Sequence, residues 1–393
     1  ALARDQFPKI KKFADEIKIN VKIFDGDTKI EERREINEAP PEILITNFDV
    51  LHYHLWHQTK FSSLVNSTKI VVVDEAHVYS GIFGSNVHYI IKRLKRICNS
   101  KLQFIAASAT LEDAKAFCEQ LFGEKMQLIK GTGKKGETDF LMLFPSLRTQ
   151  RKLMVELTKK LTDKNHKTMI FSNSHLNAEL LAMQAKKQKI NIKVHRAGLM
   201  ANYRMSVEKQ FKEDKLQAIS CTPTLELGID VGNVDCVISS TIPVNRLTQR
   251  IGRAARKGQR GYAFLTLGND PISQNYKNHP DDYFEDIEKT YIDPNNPFVE
   301  EFQILAMACD KPISKHELKE HQDVIEHHII EENIIESNKV LKFDKFEDVS
   351  KELTLLSVSE SLKLIKKNLS NLGIVHDKFT SETDIVLNNE VQK

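Results

Sequence analysis

Residues 71–77, VVVDEAH, restrict the possible folds more than any other stretch of the chain. The apolar run at 70–73 is too short for a helix and predicts a strand buried on both faces, as in parallel sheets. Its carboxyl end leads into Asp74 and Glu75, and open parallel sheets bind ligands beyond their strand ends. An Asp there can hold Mg²⁺ while a neighbouring Glu activates water that attacks a phosphate. A surface turn with two solvated acids is the alternative.

Length and composition set broad limits on the class of protein. The 393 residues suffice for about two or three domains. The sequence has no apolar run of about 18 residues and no signal peptide, which predicts a cytoplasmic or nucleoid-associated protein without membrane contact. Its five cysteines are scattered, and we interpret them as reduced core thiols rather than zinc ligands. The net charge is only +3, so a basic surface for nucleic acid must be local.

Short apolar strands alternate with amphipathic helices in residues 1–130, which predicts an α/β domain with a parallel sheet covered by helices. The predicted strands are 19–24, 43–46, 70–73 and 104–107, and the clearest helix is 87–97, with Lys92, Arg93, Lys95 and Arg96 on its outer face.

Residues 151–267 repeat this alternation and predict a second α/β domain, so that two domains form a cleft. Its predicted helices are 153–161 and 176–182, and its strands 168–171, a short one at 194, 218–220 and 236–239. We interpret 131–150 as a linker. Residues 268–393 begin with turn clusters and predict a small, mostly helical accessory region. Its predicted helices are 298–308 and 318–330, and 334–343 is interpreted as a helix end and hairpin of a winged-helix-like module. There we expect His321, His327 and His328 to be solvated rather than metal ligands.

Three further strings accompany the acidic pair. Ser108-Ala109-Thr110 follows a predicted strand, TPTLELGID occupies 222–230, and QRIGRAAR occupies 249–256. A helix cap and a solvated basic helix are the alternatives for the first and last strings. In this order and spacing, however, the strings resemble the DEAH box, the S-A-T motif and motifs V and VI of superfamily 2 helicases. That resemblance implies two RecA-like domains.

Short segments near the start of the chain fit the same family. Residues 1–6, with Arg4, resemble the end of motif Ia, while Gly26 and the pair Thr46 and Asn47 lie in turns after predicted strands. In the family such loops contact the backbone of one nucleic-acid strand. Ordinary turn chemistry is the alternative for each segment taken singly.

The resemblance implies a role for each matching residue, with ATP and Mg²⁺ as cofactors. Asp74 would hold Mg²⁺ through the nucleotide and Glu75 would activate water. Arg253 and Arg256 would be arginine fingers, and Gln249 with His77 would sense the γ-phosphate. Gly228 and Asp230 would meet the ribose side, while Ser108 and Thr110 would couple hydrolysis to domain movement. The implied nucleic-acid contacts are Arg4, Gly26, Thr46, Asn47, Ser172, Asn173, His195, Arg196 and Thr222.

A phosphate-binding loop of the form G-x-x-x-x-G-K-[ST] does not occur in the sequence. The nearest string, GTGKKG at 131–136, follows the DEAH box instead of preceding motif Ia, and we interpret it as an interdomain connection. We therefore expect the natural protein to extend upstream. We also expect residues 1–393 alone to hydrolyse little or no ATP.

Residues 74–97 and 271–312 narrow the resemblance to the Hrq and MrfA group of DNA-repair helicases. The group implies 3′-to-5′ movement along one DNA strand. Its members carry a cysteine-rich domain farther downstream, which this sequence lacks. An RNA helicase, or a nucleic-acid-binding protein that keeps the helicase scaffold without hydrolysing ATP, remains an alternative. The sequence makes no prediction of the oligomeric state.

Overall fold

The computed structural model describes residues 2–108, 111–131, 137–226, 231–254, 260–285, 289–314, 319–331, 334–337 and 340–343. Four residues with predicted roles, Thr110, Gly228, Asp230 and Arg256, lie outside the described residues, as does 132–136 of the GTGKKG string.

Helices and strands alternate along most of the described chain. The helices are α1 (Leu2–Glu16), α2 (Ile30–Glu38), α3 (Phe48–Trp56), α4 (Lys60–Val65), α5 (Gly81–Ile97), α6 (Ala114–Phe122), α7 (Gln150–Asp163), α8 (His175–Lys187), α9 (Ala201–Lys212), α10 (Val244–Ile251), α11 (Pro271–Asn278), α12 (Asp282–Glu285), α13 (Pro297–Asp310) and α14 (Gln322–Ile330). The strands are β1 (Val21–Ile23), β2 (Ile43–Ile45), β3 (Ile70–Val73), β4 (Gln103–Ala106), β5 (Thr138–Leu143), β6 (Thr168–Phe171), β7 (Ile192–His195), β8 (Ala218–Cys221), β9 (Cys236–Ser240), β10 (Gly261–Thr266), β11 (Ile313–Ser314), β12 (Ile334–Ser337) and β13 (Val340–Phe343).

The region of the first predicted domain, 1–130, which we call the first half, contains two parallel strand pairs, β1 with β2 and β3 with β4. The expectation that β3 is buried on both faces was wrong. Val73 is 4% exposed and packs against Val87 of α5, but Ile70 and Val72 are 53% and 66% exposed. Because alternate side chains of a strand point to opposite faces, α5 covers one face of this pair and leaves much of the other open.

Helix α5 begins at Gly81, six residues before the predicted start, and ends at the predicted Ile97. The predicted outer position of Arg93 was wrong, because this side chain is fully buried. Its Nη1 donates to His52 Nδ1 at 2.5 Å and to Gln303 Oε1 at 3.1 Å. These acceptors make burial of the guanidinium tolerable, since buried charges require hydrogen-bond partners.

Residues 289–303, which we call the return segment, follow the second half in sequence but pack on the first. The Gly81 amide donates to the Tyr291 carbonyl at 2.8 Å, directly before α5. Ile292 is 5% exposed and lies in the core cluster of Val73, and Gln303 Nε2 donates to Asn86 Oδ1 at 3.0 Å. The chain therefore passes between the halves twice, which the sequence analysis did not predict.

The second half is built on a six-stranded parallel sheet with the order β5-β10-β9-β6-β8-β7. Its central strands β6, β8 and β9 are fully buried. One core cluster joins the sheet to α7 and α8, and another includes residues of α9. Helices on both faces of a parallel sheet confirm the predicted RecA-like fold class. Strand β5 lies at one edge of this sheet, within the range interpreted as a linker.

Residues 304–393 form a second compact unit. Its described strands form an antiparallel sheet in the order β11-β13-β12, so the predicted hairpin at 334–343 is confirmed. The expectation of solvated histidines was wrong for His321 and His328, which are 3% and 2% exposed. Among the described residues, no group of three or more potential metal-binding side chains occurs, and no helix has the length and apolar character to cross a membrane.

Substitution of Ile292 tests the packing of the return segment. Ile292→Ala should lower the free energy of unfolding by about 2 to 4 kcal/mol, because it opens a cavity in a buried cluster. Ile272→Ala is the matched control, since Ile272 is 61% exposed. Urea unfolding followed by circular dichroism measures both, and equal losses in the two variants would contradict this packing.

The pair of His52 and Arg93 should make stability depend on pH. Burial and the nearby Arg93 guanidinium lower the pKa of His52 from 6.5 to about 4. The unfolded chain therefore binds the proton more readily between these values, so the stabilisation is complete above pH 6.5 and is lost as the pH falls towards 4. Allowing for partial exposure, we expect a loss on the order of 1 to 2 kcal/mol.

Urea unfolding at pH 7 and pH 4.5 measures this loss. His52→Gln, which keeps an acceptor for Arg93, should reduce the pH dependence, and replacement of the exposed His279 by Gln should not. An unchanged pH dependence in His52→Gln would rule out His52 as its source.

Candidate functional site

The two acidic residues after β3 form a constrained turn. Glu75 has φ 52° and ψ 46°, a left-handed conformation that is uncommon for non-glycine residues and is often found at functional sites. Its amide donates to Asp74 Oδ1 at 3.0 Å. The next amide, from Ala76, donates to the Ala107 carbonyl at 2.9 Å, which ties the turn to the end of β4. The DEAH and S-A-T strings thus meet at one edge of the sheet.

His77 connects this turn with the second half. Its Nδ1 lies 3.6 Å from Glu75 Oε2 and 3.4 Å from Ser108 Oγ. Burial lowers the pKa of His77, while the charge of Glu75 and the acceptor oxygen of the Gln249 side chain on α10 act to raise it. The structure therefore brings together four predicted site residues, Glu75, His77, Ser108 and Gln249, from both halves of the chain.

Helix α10 contains Arg246 and Arg250, Arg253 follows its last residue, and all three side chains donate to Glu226. Arg246 Nε and Nη2 donate to the Glu226 carboxylate, each at 3.1 Å, and Arg250 Nη2 donates to it at 3.2 Å. Arg253, 6% exposed, donates from Nη2 to the Glu226 main-chain carbonyl at 2.6 Å. The sequence analysis did not assign roles to Glu226, Arg246 and Arg250. The signal that could have found them is the acid at 226 in TPTLELGID, about twenty residues ahead of two arginines spaced by four, Arg246 and Arg250.

Asp74 is the described residue best suited to a divalent cation. It is exposed at the strand tip, and its Oδ1 accepts the neighbouring Glu75 main-chain amide at 3.0 Å. Mg²⁺ commonly uses one or two carboxylates together with substrate phosphates and water. A single carboxylate at this place fits such a site, in which the nucleotide would supply further ligands.

The predicted nucleic-acid contacts of the first half lie in turns with defined hydrogen bonds. Arg4 forms a bidentate pair with Asp25, Nε to Oδ2 at 2.9 Å and Nη2 to Oδ1 at 2.8 Å, beside the exposed Gly26. Burial acts to raise the pKa of Asp25, but hydrogen bonds from Arg4 and Thr28 outweigh it and keep the pKa below its usual value. Asn47 caps α3 by accepting from the Val50 amide at 2.8 Å, and Thr46 precedes it.

The predicted contacts of the second half follow the carboxyl ends of β6, β7 and β8 on one sheet edge. The side chains of Ser172, His195 and Thr222 are buried, at 3%, 1% and 4% exposure. His195 Nε2 lies 2.8 Å from Glu208 Oε1. Arg196 pairs with Glu179 at 2.8 Å, and Asn173 Nδ2 donates to the Thr241 carbonyl at 3.0 Å. Asn173 is exposed and Arg196 partly so, which makes these two side chains the more accessible ones.

Two family models match the chain. Residues 1–117 match the DEAD/DEAH box helicase family, and residues 149–258 match the helicase conserved C-terminal domain. The first match contains the acidic turn at Asp74 and Glu75, and the second contains α10, which we call the arginine helix.

Individual relatives agree with these matches. An uncharacterised ATP-dependent helicase of Methanocaldococcus jannaschii, MJ1574, is 33% identical over 286 residues, which are 70% of this chain and 42% of the relative. ATP-dependent helicase hrq1 of Schizosaccharomyces pombe is 31% identical over 67% of this chain and 27% of its own. The chain thus spans less than half the length of these relatives.

A solved structure shows the same fold. The crystal structure of the DUF1998 helicase MrfA bound to DNA and AMPPNP has a TM-score of 0.79 and 29% identity, over 88% of this chain and 52% of that chain.

A shorter match is of a different kind. A stretch of 57 residues, 14% of the chain, is 95% identical to part of the arginine–tRNA ligase of Pelagibacter ubique and covers 10% of that protein. The gap between the two helicase matches, 118–148, is shorter than 57 residues. A stretch of this length that lies outside both matches therefore fits only after residue 258.

The family matches, the relatives and the meeting of the motif residues at one site agree with one another. The chain belongs to the DEAD/DEAH-box helicases of superfamily 2, and within them it resembles the Hrq and MrfA group.

Proposed function

We propose that the chain is the motor part of an ATP-dependent helicase or translocase that hydrolyses ATP between its two RecA-like halves. The observation that carries this proposal is the meeting of the motif ends at one sheet edge, where the Ala76 amide donates to the Ala107 carbonyl at 2.9 Å and His77 Nδ1 lies 3.6 Å from Glu75 Oε2, on the side that faces Gln249 of α10. It places the carboxylate-bearing turn of one half near the helix of the other half that leads to Arg253. This is the combination that phosphoryl transfer requires.

Each residue would contribute separately to hydrolysis. Glu75 would orient the attacking water and accept its proton, and Asp74 would hold Mg²⁺ through the nucleotide. Bound Mg²⁺ would neutralise phosphate charge. Arg253 and Arg256 would stabilise the charge of the transition state, while Gln249 and His77 would respond to the γ-phosphate. Gly228 and Asp230 would meet the ribose side, and Ser108 and Thr110 would couple hydrolysis to domain movement.

We propose that residues 1–393 alone are deficient in hydrolysis. A phosphate loop is absent from the sequence, although such a loop supplies the amides and the lysine that bind the phosphates. The exposed side chains of Ile70, Val72 and Ile105 on β3 and β4 also leave apolar surface open beside the acidic turn. Polypeptide that carries a phosphate loop could pair with this sheet and cover that surface.

For the nucleic-acid partner we propose single-stranded DNA, tracked 3′ to 5′ during repair in the cytoplasm or nucleoid. Support comes from hrq1 and from MrfA, whose structure is described as bound to DNA. An RNA helicase is the second candidate, because the predicted contact residues suit a phosphate backbone common to both nucleic acids.

We infer that the stretch matching an arginine–tRNA ligase does not belong to the motor. Its 95% identity contrasts with the 33% and 31% identity to two helicases over 70% and 67% of the chain. The motifs that carry the proposed chemistry end at residue 256. A 57-residue stretch outside both helicase matches would begin after residue 258 and would therefore contain none of these motifs.

Hydrolysis tests the first proposal. In an extended protein that includes an upstream phosphate loop, Glu75→Gln should reduce DNA-stimulated ATP turnover by about a hundredfold or more, because the water loses its base. Glu38→Gln, on the exposed end of α2, is the control and should keep the turnover. Phosphate release measures both variants.

Residues 1–393 without the extension should show no turnover above background. DNA-stimulated hydrolysis by this chain would contradict the proposed deficiency. Full activity of Glu75→Gln in the extended protein would contradict the proposed site.

Binding measurements test the choice of partner. Fluorescence anisotropy should show that residues 1–393 bind a single-stranded DNA oligonucleotide more tightly than RNA of the same sequence. The affinity should fall steeply with salt, as expected for phosphate contacts. Equal or tighter RNA binding would favour the RNA helicase.

A variant that ends at Phe343 retains all described residues and both family matches. Its DNA affinity should equal that of residues 1–393, because the motor residues are unchanged. A loss of about tenfold or more, equivalent to about 1.4 kcal/mol, would show that the removed residues take part in binding.

A further inference from the structure

Glu226 lies where the loop after β8 meets helix α10, and it is 4% exposed. It follows a 3₁₀ turn, Pro223–Leu225, and its amide donates to the Pro223 carbonyl at 2.8 Å. Its carboxylate accepts two hydrogen bonds from Arg246 and at least one from Arg250. One buried carboxylate therefore compensates two guanidinium groups of the same helix, with the charge-assisted bonds that are strongest in proteins.

The third contact of Glu226 extends this arrangement beyond the end of α10. The Glu226 carbonyl accepts from Arg253, one of the two proposed arginine fingers, at 2.6 Å. Arg246 and Arg250, four residues apart, lie on one face of α10, and Arg253 lies in the turn after its last residue, Ile251. A single residue thus holds two positions of this face and the turn that follows the helix.

Arg250 makes the negative charge of Glu226 necessary. It is fully buried, donates from Nη1 to Ser239 Oγ at 2.7 Å, and lies over the ring of Phe171 at 4.8 Å. Neither Ser239 nor Phe171 carries a charge, so Glu226 is the carboxylate that balances this guanidinium. Removing one partner of a buried pair leaves an uncompensated charge and disturbs its surroundings.

Gln249 lies one residue before Arg250 and therefore about 100° around the helix axis. From that position it reaches His77 beside the acidic turn. Because the backbone of α10 is a single hydrogen-bonded unit, fixing the arginine face also fixes the direction in which Gln249 points. The contacts of Glu226 therefore also determine the orientation of Gln249, although Glu226 acts on Gln249 only through the helix.

We propose that Glu226 is a positioning residue that sets the rotation of α10 and so places Gln249 and Arg253 at the nucleotide cleft. It acts through these side chains and does not touch the reacting atoms. The consequence for hydrolysis rests on the proposed function, whereas the clamp on α10 can be tested without nucleotide.

Cross-linking tests the clamp in residues 1–393. Cysteines introduced at His77 and Gln249 should react with a short bismaleimide, and Glu226→Gln should slow this reaction by about tenfold because α10 is no longer held in one rotation. Asp235→Asn is the matched control, since Asp235 lies in the same half and its carboxylate accepts from the Lys167 main-chain amide at 2.8 Å, away from α10 in sequence. Single-cysteine variants correct for reaction with the native cysteines.

The reaction is run where circular dichroism shows each variant to be folded. If Glu226→Gln lowers the unfolding temperature but leaves the cross-linking rate of folded protein unchanged, Glu226 is merely structural and the proposal fails. Should the single variant not fold, Glu226→Gln with Arg250→Met removes the unpaired buried charge as well. The proposal expects slow cross-linking in that double variant, and a normal rate would overturn it.

Kinetics in an extended protein with a phosphate loop give the second test. Glu226→Gln should lower kcat by about tenfold or more and leave KM for ATP within about twofold, because an arginine finger acts mainly in the transition state. Absence of hydrolysis in the unsubstituted protein would refute the proposed function, while cross-linking would still report on the clamp. Normal hydrolysis by Glu226→Gln would refute the positioning role and leave the proposed function standing.

Discussion

Parallel pairing of short strands is the constraint on which the rest of the structure depends. Because parallel strands end at the same edge, the residues that follow β3 and β4 meet there, and those after β6, β7 and β8 meet in the second sheet. The backbone bond from Ala76 to Ala107 shows this most directly, because it joins two strings about thirty residues apart. The candidate site is thus a product of sheet topology, and loop sequence alone would not assemble it.

The two fully buried guanidinium groups described above, of Arg93 and Arg250, are held by different kinds of acceptor. Arg93 donates to a histidine nitrogen and an amide oxygen. Arg250, in contrast, is paired with Glu226 and has a further hydroxyl acceptor. The first arrangement is sensitive to protonation of its acceptor, and the second depends on retaining a negative charge.

Local sequence patterns predicted much of the fold and the location of the site. The runs at 70–73 and 168–171 are strands with the predicted bounds, because β-branched and aromatic residues favour extended structure. The motif strings located the acidic turn and the arginine helix. The burial of Arg93 was not predictable, since helical spacing marks a face but does not show that Gln303, distant in sequence, would cover it. The role of Glu226 was not predictable for the same reason, because its partners lie about twenty residues away in the chain.

The return segment has a consequence for a chain cut between its two sheets. A single cleavage of the backbone near Gly131 would leave the first half on one polypeptide and the six-stranded sheet on another. Tyr291, Ile292 and Gln303 would belong to the downstream piece yet remain packed on the upstream one. Such a nicked protein should therefore migrate as two bands under denaturing conditions and as one particle under native conditions. The same topology makes this site suitable for producing the protein as two separately expressed, reassociating pieces.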